Sequence, residues 1–228
     1  MLAGLMYCGD CGAQMDQVRG TGWDYSKWYF TCASYRKATK PCSSHQIRNV
    51  VVEKLVLKQL KMVFAFAKEH EDAFVQMMTQ RSSAEHNRLM REYRKECDQA
   101  KARISQIDTI VQRLYEDNVS GKVSDDRFSS TSRAYEDEQQ ALKAEADVLR
   151  QEIETQERQS QDLESFIQKA KKYAELTELT PYAAHELIKA IYVGAPDKSS
   201  GKRRQSIHIC YDLIGFIPLS KLMQQKLA

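Results

Sequence analysis

The sequence predicts a mainly α fold with a small β content: a cysteine-bearing β-ribbon, a long antiparallel coiled-coil hairpin, and a C-terminal helix with a β-hairpin. Three observations lead there. Four of the six cysteines fall within the first 42 residues, among aromatic residues arranged as short strands. Two apolar heptad seams follow one another across a glycine-bearing break. Near the end, two apolar runs flank a polar, basic link.

The 228 residues are 42% hydrophobic and 29% charged, and nine Gly and four Pro leave room for long helices. No run of about 18 uncharged apolar residues is present, so a membrane span is not expected. The N-terminus lacks a basic region ahead of a long apolar stretch, so it does not read as a secretory signal. A cytoplasmic setting follows, in which thiols stay reduced and spaced cysteine pairs point to metal before disulfide. The net charge of +3 is unevenly spread: residues 1–49 carry +3 and residues 196–228 carry +4, leaving −4 for the middle. Basic ends suit contact with nucleic acid, although a solvated surface can show the same asymmetry.

The ribbon spans residues 1–49. The run Trp28-Tyr29-Phe30-Thr31 reads as strand, and Gly20 and Gly22 place a turn before it. Residues 46–80 read as helix within a connecting segment, 50–84. Val50, Leu55, Val56, Leu57, Leu60, Val63, Phe64 and Phe66 give it a wide apolar face, with Lys54, Lys58 and Lys61 opposite. This helix is expected to pack on the ribbon.

Residues 85–168 form the arm. Tyr93, Cys97, Ala100, Ile104, Ile107, Val111 and Leu114 recur at alternating spacings of 4 and 3. Tyr135, Gln139, Leu142, Ala146, Leu149, Ile153 and Gln156 repeat that pattern, giving one coiled-coil seam per helix. Gly121 breaks helix between them and Ser124 suits the next N-cap, and so short a link forces the helices antiparallel. Each helix of about 28 residues would extend roughly 42 Å. Two glutamines and two alanines in the seam predict a stable but flexible arm.

Residues 169–228 change character. Thr180-Pro181 opens a helix running through Ile188. Ile191-Tyr192-Val193 and Ser206–Tyr211 read as strands of a hairpin whose link, residues 197–204, carries Lys202, Arg203 and Arg204.

Cys8-Gly9-Asp10-Cys11-Gly12 lets one tight turn aim two sulfurs at a single ion, with Gly9 and Gly12 permitting left-handed backbone. Cys32 and Cys42 supply a second pair, and four thiolates make a closed structural zinc site. His45, three residues after Cys42, could replace Cys32 or Cys42 as a ligand. A ribbon of about 50 residues with few aliphatic side chains needs a metal to hold it. Cys97 and Cys210 read as small buried hydrophobes. The five histidines are scattered, and no nucleophile–base constellation recurs on one helix face, so a non-catalytic chain with no small-molecule substrate is expected. Around the cysteines, Arg19, Lys27, Trp28, Tyr29, Arg36, Lys37, Lys40 and Arg48 form the candidate surface for double-stranded DNA, with Lys202, Arg203 and Arg204 at the far end. Phe30 and one of its two neighbouring rings are expected to fill the small core instead.

The run Leu5–Met15 around the first cysteine pair, then Tyr29-Phe30-Thr31-Cys32 and Cys42-Ser43-Ser44-His45-Gln46-Ile47-Arg48, resembles the zinc β-ribbon of large serine recombinases, most closely the transposon-type members. The hairpin and the C-terminal segment resemble the coiled-coil motif and terminal domain of that family. The resemblance implies a ribbon that binds the recombination site, with Cys8, Cys11, Cys32 and Cys42 on zinc. It also implies an arm whose tip, near residues 117–125, contacts other recombinase subunits. The family's catalytic serine domain has no counterpart in this sequence, so the chain would be a non-catalytic C-terminal portion. The competing reading is a protein-interaction scaffold that uses the arm and makes no DNA contact.

Overall fold

The computed structural model describes residues 1–39, 41–197, 199, 203–219 and 222. The chain forms two compact units: residues 81–160, and a unit joining residues 1–80 to residues 161–228. The mainly α class with a small β part is observed.

In the unit formed by both chain ends, β1 (Met6–Cys8), β2 (Met15–Val18), β3 (Tyr29–Cys32) and β4 (Gln46–Arg48) come from the first 49 residues, with α1 (Ala33–Lys37) between β3 and β4. Then follow α2 (Asn49–Glu69), α3 (Glu71–Thr79), the last turns of α5 (Asp125–Lys172), α6 (Pro181–Leu187), β5 (Ile188–Asp197), β6 (Arg204–Tyr211) and β7 (Gly215–Phe216). Strands β2-β3-β4 form an antiparallel sheet. Strand β1 instead joins a second sheet of order β1-β5-β6-β7, in which Met6, Tyr7 and Cys8 pair in parallel with Ile191, Tyr192 and Val193. The first cysteine turn and the C-terminal hairpin are therefore parts of one sheet.

The expected helix over residues 46–80 is a strand and two helices. Residues 46–48 pair with β3, and the second break falls at His70, whose φ of −133° and ψ of 57° leave the helical region. Val52, Val56, Leu60, Val63 and Ala67 follow helical spacing and are buried, while Lys54, Lys58 and Lys61 are exposed. Leu55, assigned to the apolar face by its spacing, is 43% exposed. The core centres on Phe166 of α5, whose ring lies 6.0 Å from Phe64, 5.9 Å from Phe74 and 5.8 Å from Tyr211. Thr180 caps α6 by accepting from the Ala183 amide at 3.2 Å, as Thr-Pro at that start requires.

The second unit is a helical hairpin of α4 (Ser83–Val119) and residues 125–160 of α5. Helix α4 starts ahead of the first seam residue because Ser82 and Glu85 form a reciprocal capping box. Antiparallel pairing shows in the cross-links: His86 with Ser160, Arg94 with Glu157, Arg103 with Glu138, and Tyr115 with Phe128 near the turn. Cys97, Ala100 and Ile107 are buried, and the other seam positions are half-buried. The seam glutamine Gln139 donates to Asp108 at 2.6 Å, which satisfies a polar group where a heptad places a hydrophobe. Gly121 turns the chain at φ +77°, and the Asn118 amide holds the Val123 carbonyl and the Asp125 carboxylate. No helix of the described residues is long and apolar enough to cross a membrane.

Candidate metal centre and cationic surface

A tight turn after β1 delivers Cys8 and Cys11, whereas Cys32 ends β3 and Cys42 lies in the loop between α1 and β4. Cys8 ends β1, and its turn closes through Gly12 N–H to the Cys8 carbonyl at 3.0 Å and Cys8 N–H to the Ala13 carbonyl at 2.8 Å. Gly12 has φ +70°, the left-handed conformation that the motif predicts. Gly9 does not share it. Its amide donates to the Val193 carbonyl at 2.8 Å, and a Cβ there would stand 3.1 Å from that oxygen and 3.2 Å from the Gly194 backbone. Gly9 thus eases the close approach of two strands, a reason invisible in the local motif. On the other side, Cys32 ends β3 and its amide donates to the His45 carbonyl at 3.1 Å.

The four sulfurs of Cys8, Cys11, Cys32 and Cys42 all lie within 4.8 Å of one another. Sγ–Sγ distances are 3.6 Å for Cys8–Cys42, 3.5 Å for Cys11–Cys32 and 3.8 Å for Cys32–Cys42. A tetrahedron with zinc–sulfur bonds of about 2.3 Å has edges of about 3.8 Å, so the cluster has the size of a four-thiolate zinc cage. The residues fit the ion. The Ala13 backbone, with Ser34 and neighbouring thiols assisting, holds the Cys11 thiol down to about 6. Burial pushes Cys8 and Cys42 up, and the adjacent sulfurs push Cys42 further. Thiols so crowded resist ionising together, and a divalent cation among them reverses that preference. His45 stands behind the cage. It is buried, with Nδ1 2.7 Å from the Ser43 carbonyl and 3.7 Å from the Cys42 sulfur, and Nε2 2.9 Å from the Asp10 carboxylate. It is not one of the four clustered donors. Cys97 is buried in the hairpin seam, whereas Cys210 is only half-buried, since its strand alternates and places it opposite the buried Ile209 and Tyr211.

The expected contact residues divide. Arg36 and Lys37 lie 3.4 and 3.6 Å from the Asp16 carboxylate, so this part of the cationic set is locally compensated. Arg19 lies over the Trp28 ring at 5.2 Å. Trp28 and Tyr29 are both half-buried and Phe30 is fully buried, so the inward ring is Phe30. Arg204 pairs in register with Asp197. Lys40 and Lys202 lie outside the described residues. Lys27, Arg48 and Arg203 are brought together in one groove, where Arg203 of the C-terminal hairpin donates to the Gln46 carbonyl of β4. The sequence did not mark Trp23 and Val51 for this surface and placed Leu55 on the apolar helix face, yet all three line the same groove and are about two-fifths exposed. No periodic signal marks an apolar helix residue that packs beside the core rather than in it.

Four clustered thiols, carried on β1, β3 and their adjoining loops, fit a zinc ribbon. Residues 1–61 match the recombinase zinc beta ribbon domain, and residues 152–218 match a domain of unknown function (DUF4368). No curated protein and no solved structure matches the chain. The part of the chain that carries the four cysteines is thus similar to the zinc ribbon of recombinases.

Proposed function

We propose that this chain is the zinc-dependent DNA-binding and synapsis-controlling part of a site-specific serine recombinase of the transposon type, working in the cytoplasm. The four-sulfur cage at the N-terminus supports this reading most strongly, because its match is to a recombinase ribbon. In this reading Cys8, Cys11, Cys32 and Cys42 hold one structural zinc. The ion would shape the ribbon and do no chemistry, since four thiolates leave no open coordination position. Arg19, Lys27, Arg48, Arg203 and Arg204 neutralise phosphates, and Trp28 and Tyr29 support the same face. The functional divisions are the ribbon over residues 1–49, its connecting helices over 50–84, the arm over 85–168 and the C-terminal helix and hairpin over 169–228. Residues near 117–125, at the turn of the hairpin, contact other subunits. Catalysis would be supplied by a serine domain outside this sequence.

Metal analysis of the purified chain is expected to return one zinc. A salt titration of duplex-DNA binding is expected to show a steep linear loss of log affinity with log salt, abolished by chelation. Duplex affinity unchanged after complete removal of zinc would refute the reading. Absence of any DNA binding at low salt, with self-association through the hairpin retained, would favour a protein scaffold.

A further inference from the structure

The groove that joins the ribbon to the C-terminal hairpin has a composition that the rest of the cationic surface lacks. It encloses about 740 Å³. Its walls are the outer ends of β3 and β4, the first turns of α2, and alternate residues of β6 with Arg203 at its start. Lys27, Arg48 and Arg203 contribute three cations from three separate elements, and the described lining residues include no carboxylate. The nearest acidic residue on α2, Glu53, is engaged by the Tyr25 hydroxyl. Elsewhere the contrast is plain: Arg36 and Lys37 face Asp16. Between the cations lie Trp23, Val51 and Leu55, which supply apolar surface at 43–44% exposure. Asp24 beside the groove feels the charge of Lys27, but the lining itself is cationic and apolar, and positive charge alternating with apolar contact matches a phosphodiester backbone, whose charged phosphates alternate with uncharged sugars.

We propose that this groove holds the backbone of one strand of duplex DNA, so that the ribbon and the C-terminal hairpin bind as one continuous surface. The contact between Arg203 and the Gln46 carbonyl sets the two walls before DNA arrives, which lowers the ordering cost of binding. The inference rests on the DNA-binding reading above and adds to it the place of contact and the part played by residues 203–207.

The test uses the zinc-loaded full chain and one duplex, with affinity measured across a salt series. Lys27→Ala, Arg48→Ala and Arg203→Ala are each expected to flatten the slope of log affinity against log salt by about 0.9, and the triple variant by about three times that. Lys101→Ala, on the separate helical hairpin, is expected to keep the wild-type slope. All these side chains are exposed, so retained helicity and zinc content verify the fold. Leu55→Glu, which places a carboxylate among the cations, is expected to weaken binding at least tenfold, and Leu55→Gln much less. A triple variant with the wild-type slope would overturn the groove while leaving the DNA-binding reading intact. A wild-type chain that binds no duplex at low salt would overturn both. Binding of polyglutamate in place of duplex, lost in the triple variant, would assign the groove to an acidic protein segment and equally overturn the proposal.

Discussion

Removing the metal should be felt far along the chain, in β5, and the size of the effect follows from the structure. Strand β1 carries Cys8 and is held on β5 by the Ile191 amide on the Leu5 carbonyl at 2.7 Å and the Gly9 amide on the Val193 carbonyl at 2.8 Å. Leu2, Leu5 and Met6 are each at most 7% exposed, in the core that also contains Ile191 and Val193. Each such side chain is worth about 1.5–3 kcal/mol when buried, and each hydrogen bond about 1 kcal/mol net. Release of this segment therefore costs roughly 6–11 kcal/mol as an upper bound, comparable with the whole stability of a domain. Chelation of the zinc-loaded chain, or Cys11→Ser, is expected to raise amide exchange over residues 1–49 and also over residues 188–197. Residues 90–115 and 130–155 of the helical hairpin should keep their protection. Exchange resolved by peptide mass spectrometry reads all three regions at once. If residues 188–197 stayed protected while residues 1–49 exchanged freely, the cage and the C-terminal sheet would be independent and the argument would fail.

Other consequences are equally direct. Phe166→Ala removes the ring shared by Phe64, Phe74 and Tyr211 and should cost about 3–5 kcal/mol, measured as a drop in the denaturant midpoint. The Arg103 guanidinium, bonded to Glu138 at 2.7 and 3.1 Å, holds that carboxyl below its ordinary value. Its contribution to the hairpin is then complete above the usual carboxylate range and lost as pH falls through the lowered value. Glu138→Gln should accordingly flatten the acid limb of a helicity-against-pH curve, and an unchanged limb would count against the pairing. Tyr211 is 2% exposed and its hydroxyl has no partner among the described residues, so Tyr211→Phe should leave stability unchanged or raise it by up to about 1 kcal/mol. Gly121→Ala, at φ +77°, should lower the thermal midpoint of the helical hairpin by an amount equivalent to about 1 kcal/mol.

What was legible in the sequence was legible because its cause is local. The heptad residues Cys97, Ala100 and Ile107 are buried because a 3–4 spacing places them on one stripe of one helix, whatever lies elsewhere. Thr180-Pro181 starts α6 and Gly12 turns left-handed for reasons contained within a few residues. The convergence of the cysteines is partly of this kind: the two-residue spacing fixes Cys8 and Cys11, while the approach of Cys32 and Cys42 needs β3 and β4 to pair first. The break at His70 was not legible, because neither Gly nor Pro marks it. Its ring lies 5.2 Å from that of Phe66, and its carbonyl accepts the Phe74 amide, so packing and the next helix define it.

The parallel pairing of β1 with β5 is the deepest case of the other kind. Met6-Tyr7-Cys8 carries no sign of a partner near Ile191, because pairing between distant segments is chosen by the whole core and the cost of loop closure grows only slowly with separation. A single glycine nevertheless records it. Gly9 is explained equally well, from sequence, by the needs of a metal turn, and the structure assigns it instead to the contact with Val193 and Gly194. Within Cys8-Gly9-Asp10-Cys11 the first and last residues face the metal cage, the second faces the C-terminal sheet and the third faces His45. One four-residue turn thus serves three different neighbours, and a substitution at Gly9 should disturb the sheet even where every cysteine is intact.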